Sequence, residues 1–234
     1  MLLQIFQEKG ELLLPTVPSD SVPLPVSGLP ELGEALIVVF ILLCLLLLGN
    51  FINIVPHLAD SILRARGSTA LEGSVRVSRD RNLIALVFVI PAIILQYRYC
   101  LYYPEYVQSM TPTARLLVTG AVFIGYLLLR FLMYIWLKPR RSDAYMMSNR
   151  AGYSFYILLC LVAFLTLGVL LLFKASDLTV KGFLMTEVSV FYFIYFVRRG
   201  QILLTNCAPF TTFLYLCALE ILPTGLFVAS AVVL

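Results

Sequence analysis

Residues 35–49 read Ala-Leu-Ile-Val-Val-Phe-Ile-Leu-Leu-Cys-Leu-Leu-Leu-Leu-Gly, fifteen consecutive positions without a charged side chain. Continued to Val55, the run reaches the roughly 20 apolar residues that carry a helix across the hydrocarbon core of a bilayer. A helix lying on a water-facing domain shows polar residues on one face, and this one is apolar on every face. The segment is a membrane span, and the rest of the chain agrees with it. Of 234 residues, 61% are apolar or aromatic and 13% are charged, and the mean hydropathy is +0.94. A soluble domain carries roughly 25% charged residues. Soluble enzyme, disordered chain and nucleic-acid reader are excluded on that ground, and the net charge of +4 belongs to membrane topology.

Windows of similar character follow near 83–103, 116–137, 153–173, 182–197 and 210–234. The fifth is short and carries Glu187. Five or six spans fit; we read six, so the fold class is an all-α polytopic transmembrane bundle over 32–234, preceded by a tail over 1–31. Five prolines (Pro15, Pro18, Pro23, Pro25, Pro30) punctuate that tail. Their fixed φ and missing N–H groups forbid a continuing helix and favour an extended, polyproline-type segment. Met1–Phe6 lacks the positive flank and cleavage site of a signal peptide, so the tail reads as retained and translocated.

Lys and Arg set orientation through the short loops. With the N-terminus outside, the cytoplasmic segments hold Arg64, Arg66, Arg76, Arg79, Arg81, Lys138, Arg140, Arg141, Arg150, Arg198 and Arg199, eleven of the seventeen basic residues. The outer segments hold five: Lys9, Arg98, Arg115, Lys174 and Lys181. Both termini then face outward. Tyr97, Tyr99, Tyr102, Tyr103 and Tyr106 gather at the outer end of the second span, where amphipathic rings sit at headgroup level, and Pro104 is expected to break the helix there.

Polar groups inside the spans carry the rest of the information, because each costs on the order of 3 kcal/mol to insert. Glu220 sits mid-way along the last span, three residues before Pro223. Pro223 cannot donate to the carbonyl of Leu219, so a backbone acceptor is freed beside the carboxyl group. Arg130, at a matching depth in the third span, is the natural partner; the alternative is that Arg130 snorkels to the inner headgroups and Glu220 holds a proton. Arg98 and Glu187 form a candidate outer pair, set against simple exposure to headgroup water. Asn50, Asn53 and His57 fall at i, i+3 and i+7 with Asp60 three further on, a polar stripe suited to helix–helix bonding or to a water-filled vestibule. Thr119, Gly120 and Gly125 give the third span a small-residue face.

Motifs for chemistry are absent. The sequence holds no H-E-x-x-H, no G-x-S-x-G, no phosphate-binding loop and no paired intramembrane Asp. His57 is the single histidine, too few for bis-His haem or a zinc site. Cys44, Cys100, Cys160, Cys207 and Cys217 form no C-x-x-C pair and read as small packing residues. No catalytic residue, metal or cofactor is assigned, and an interfacial His/Asp/Glu cluster for lipid chemistry cannot be assembled.

The run Phe213-Leu-Tyr-Leu-Cys-Ala-Leu-Glu-Ile-Leu-Pro223 resembles the C-terminal signature of an uncharacterised Bacteroidota family of small polytopic inner-membrane proteins. The resemblance implies a bacterial inner membrane, with the outer side the periplasm, and implies no activity or catalytic residue. The expected role is a non-enzymatic subunit or accessory factor of a larger envelope assembly, its partners the bilayer and other membrane proteins and not nucleic acid. The alternative is a small transporter or proton-coupled device using Glu220 with Arg130.

Overall fold

The structure is a computed structural model describing residues 29–63, 75–137, 143–204 and 208–233, with the side chains of 57–63, 75–76, 143–150 and 232–233 outside that description. The tail, His57, Asp60, Cys207 and much of the basic loop set (Arg64, Arg66, Arg76, Lys138, Arg140, Arg141, Arg150) therefore lie outside the described residues or side chains.

Among the described residues the chain is all helix, and six helical segments are long and apolar enough to cross a membrane. The first is α1, Glu31–Leu63. The second is split into α2, Val75–Val87, and α3, Val89–Arg98. A short α4, Glu105–Gln108, leads into the third span, α5, Pro112–Trp136. The fourth and fifth are α6, Asp143–Leu172, and α7, Asp177–Leu204. The sixth combines α8, Pro209–Leu216, a π-helical turn at Cys217–Ile221, and α9, Leu222–Val233.

Local sequence explains where these helices start and break. Thr111 caps α5 by accepting from the Ala114 amide at 3.4 Å, with Pro112 at the first helical position, where its missing N–H costs nothing. Ser176 accepts from the Thr179 amide at 3.3 Å ahead of α7. Pro91 cannot donate to Val87, four residues back, and the second span breaks at Phe88. The freed turn is tied down from α6, whose Tyr156 hydroxyl donates to the Phe88 carbonyl at 2.9 Å.

Several boundaries differ from the sequence reading, two of them with consequences for the site. The second span ends at Arg98, not near Tyr103, because the chain turns through Cys100 at φ 47°. Pro104 then caps the next short helix instead of ending the span. Tyr97, Tyr99 and Tyr102 are consequently buried within the protein. The fifth span is the larger correction. It is a 28-residue helix, Asp177–Leu204, and runs straight through Arg198 and Arg199, which the charge pattern placed in a loop.

Packing follows helix periodicity. Helices α6 and α7 form an antiparallel pair; α1 and α2 lie against α6, and the sixth span lies against both α7 and α5. Ile54, Ile84, Ala85, Phe88, Ile157 and Cys160 make one apolar core. Leu203, Leu216 and Leu219 make another, with Met133, Leu137 and Phe196 against it. On α5, Leu116, Thr119, Phe123, Tyr126, Arg130, Met133 and Leu137 recur at alternating steps of three and four. That repeat keeps one face toward neighbouring helices, and Arg130 occupies a position on it. Gly120 lies on the same side, where a Cβ would come 3.4 Å from Ile93 of α3; Gly125 meets nothing within 4 Å, so the small-residue face is only half used. Outward faces are apolar: Leu45, Leu46, Leu128, Leu165, Phe193 and Val228 are all exposed.

Candidate functional site

Three spans deliver charged or hydroxyl side chains to one point. Arg130 comes from α5 about 9 Å before its Trp136 end, Arg199 from α7 about 8 Å before Leu204, and Glu220 about 16 Å beyond Pro209, at 1.5 Å per residue. Those three helix ends lie on the same side of the bundle by connectivity, so the groups meet well inside the membrane.

Glu220 is 0% exposed. Its Oε1 accepts from Arg130 Nη2 at 2.6 Å and from the Tyr195 hydroxyl at 2.7 Å, and it pairs with Arg199 Nη1. The Tyr195 hydroxyl also accepts from Arg130 Nη2 at 2.5 Å and from Arg199 Nη1 at 2.7 Å. A phenol has one proton to give and two lone pairs to fill; this one uses all three. Both guanidinium groups lie over the Tyr195 ring, at 5.3 Å and 5.9 Å from its centroid, a cation–π arrangement that gains strength away from water.

Backbone geometry aims these groups. The π-helical turn at Cys217–Ile221 widens the helix where Pro223 has removed a donor, and the Leu222 amide closes it on the Cys217 carbonyl. Such turns concentrate at functional positions. The Glu220 carbonyl accepts from the Tyr192 hydroxyl at 3.2 Å, and the same hydroxyl reaches Thr224 Oγ1 at 3.2 Å. Tyr126 of α5 lies 3.4 Å from that Thr224 oxygen. On the far side, Gly152 of α6 makes room for Tyr195: a Cβ there would stand 3.3 Å from the Tyr195 hydroxyl. Phe155 packs on the same ring at 5.7 Å between centroids.

The structure thus brings Arg130 and Glu220 together. It does not bring Arg98 to Glu187. Arg98 faces Asp177 at 3.6 Å, whereas Glu187 lies ten residues further along α7 with its oxygens buried and the Thr166 hydroxyl of α6 as the nearest donor. Of the first-span stripe, Asn50 is half-buried and Asn53 exposed, while Ile54 and Phe51 turn inward; the side chains of His57 and Asp60 lie outside the description. Among the described residues no group of three His, Cys, Asp or Glu could hold a metal ion, and Cys44, Cys160 and Cys217 are free thiols.

Sequence reasoning missed Arg199, Tyr195 and Tyr192. The signal was present, since 192, 195 and 199 fall at i, i+3 and i+7 on one helix face. A paired Arg198-Arg199 at the end of an apolar run reads as a topogenic boundary, and that reading hid it. Arg81 and Asp80, also assigned to a loop, are buried at the start of the second span, Arg81 Nη2 lying 3.4 Å from Ser78 Oγ.

No family model matches the chain, and no curated protein or solved structure does. The resemblance carried by residues 213–223 rests on those residues alone.

Proposed function

We propose that this chain is a non-enzymatic, multi-pass protein of a bacterial inner membrane, with both termini on the periplasmic side. It works there as a subunit or accessory factor of a larger envelope assembly. The observation that carries the reading is the closure of the polar network. Arg130, Arg199 and Tyr195 converge on a fully buried Glu220, so these groups from three spans bond to one another within the chain. A charge-assisted network of this kind fixes which helices pack together and in what register. What remains for the outside is apolar span surface, the proline-rich tail and basic loops, which are surfaces for other proteins and for lipid. Purification of the tagged protein from its own membranes in mild detergent, with mass spectrometry of co-eluting proteins, tests this. Stoichiometric companions, lost on altering residues 12–30 or a basic loop, support the assembly role; a lone, monodisperse protein counts against it.

One observation favours a proton-coupled device instead. Glu220 Oε2 is buried without a hydrogen bond, and the Arg130 side chain keeps 26% of its surface, so a carboxylate oxygen and a partly open cation lie side by side. On that reading Glu220→Gln and Arg130→Ala abolish flux in reconstituted vesicles while the protein stays folded. Unfolding in both variants, with no flux from wild type, favours the structural role.

A further inference from the structure

Glu187 is the second carboxyl group inside the spans, and nothing in the Glu220 network touches it. It lies about 15 Å along α7 from the Asp177 end. A 28-residue helix is about 42 Å long, and the hydrocarbon core about 30 Å thick. Centred in the bilayer, α7 therefore holds Glu187 roughly 9 Å below the edge of that core.

Its surroundings differ from those of Glu220 in every respect that matters to charge. Both carboxyl oxygens are buried, and the donor nearest to them is the Thr166 hydroxyl of α6. Among the described residues no Lys or Arg pairs with it. Arg98 is held by Asp177, and Lys181, six residues back on α7, lies on another face of the helix. The neighbouring hydroxyls are committed to their own backbone, Thr186 Oγ1 to the Gly182 carbonyl at 2.9 Å and Ser189 Oγ to the Met185 carbonyl at 2.8 Å. From α6 it meets the Thr166 hydroxyl and the Cys160 thiol, the latter engaged with Tyr156. From the sixth span the ionisable groups are Tyr215, Cys217 and Glu220, none of them a cation. The carboxyl oxygens are turned into the chain.

A carboxylate is costly in hydrocarbon, and with no cation beside it and a neutral hydroxyl as its nearest donor the remedy is neutralisation. We propose that Glu187 is a proton-binding site within the bilayer, a carboxyl group that carries its proton at neutral pH at the seam of α6 and α7. It is separate from the Glu220 network and independent of whether the protein works within an assembly.

Infrared spectra of the full chain in phosphatidylcholine vesicles at neutral pH test this directly. Wild type is expected to show the carbonyl stretch of a protonated carboxylic acid, shifting in D2O, and Glu187→Gln to lose it. Absence of that band from wild type, or its persistence in Glu187→Gln, overturns the proposal. Should Glu187→Gln fail to fold, dicyclohexylcarbodiimide labelling of wild type decides. The reagent adds to a protonated carboxyl, the oxygen bonding its central carbon while the acid proton passes to nitrogen. An adduct mapped to Glu187 supports the site, and an unlabelled Glu187 overturns it.

Discussion

Arg130 on α5 and Glu220 on the sixth span, ninety residues apart in sequence, meet through Nη2 and Oε1 at 2.6 Å. The contact is one edge of a closed figure, since Tyr195 and Arg199 of α7 bond to the same carboxylate oxygen. Three spans that also share an apolar core are thereby given one register. Lipid tails are as apolar as Leu and do not drive helices together, so a polar cross-link of this kind decides neighbours where greasy surface does not.

The two arginines are not equivalent. Arg199 has 1% of its side chain exposed and Arg130 26%. Truncating a buried ion pair leaves an uncompensated charge, at about 3–5 kcal/mol, whereas a partly open charged hydrogen bond is worth about 1.5–3 kcal/mol. Arg199→Ala is therefore expected to lower the unfolding free energy in detergent by more than Arg130→Ala. Chemical denaturation of both variants, followed by circular dichroism, measures the order; the reverse order contradicts the assigned burial.

Tyr195 is the hinge of the network, and its slot is made by Gly152. Removing its hydroxyl in Tyr195→Phe leaves donors of both arginines short of an acceptor, an expected loss of about 1–3 kcal/mol. Gly152→Ala keeps every polar group but places a methyl 3.3 Å from that hydroxyl, with an expected cost of roughly 1 kcal/mol, the low end for overpacking. Thermal unfolding of the two variants checks the ranking. A neutral Tyr195→Phe would show that the hydroxyl is not part of the clasp.

Most of this architecture is legible in the residues. The run 35–49 and its five successors follow from hydrocarbon thickness alone, and Glu220 with Arg130 follows from the cost of burying charge. Arg199 is not legible in the same way. An arginine at the end of an apolar run has the same local appearance whether it meets water or a carboxylate from another helix, and only the tertiary partner separates the two. The Pro223 reading located a freed backbone acceptor, but the π-helical turn that resolves it depends on how the whole sixth span packs. Asn50 and Asn53 show the converse: a periodic stripe on one helix says nothing about which side the neighbours occupy.

At the opposite end of the bundle, Tyr102 and Tyr106 share a hydrogen bond at 3.0 Å, and Tyr102 also reaches Ser230 Oγ at 3.2 Å. Burial and that bond push the Tyr106 phenol up from 10.0 to about 12. The neutral phenol is thus the form the fold prefers. Its contribution is whole below pH 10, where folded and unfolded chains are both protonated, and is lost as pH rises toward 12 because the unfolded chain ionises first. Alkaline unfolding of wild type is expected to steepen across that window, and Tyr106→Phe to lack this component. Identical alkaline profiles would contradict the burial of the pair.

The central claim is that Glu220 acts as a cross-link among spans, and a double-mutant cycle of Arg199→Ala with Glu220→Ala tests it most directly. Residues in one ion-pair network couple by about 0.5–3 kcal/mol, while independent sites add within about 0.5 kcal/mol. The expected result is a coupling free energy near the top of that range, with the double variant far less destabilised than the sum of the two singles. Strict additivity would mean that the two residues do not hold each other, and would contradict the account.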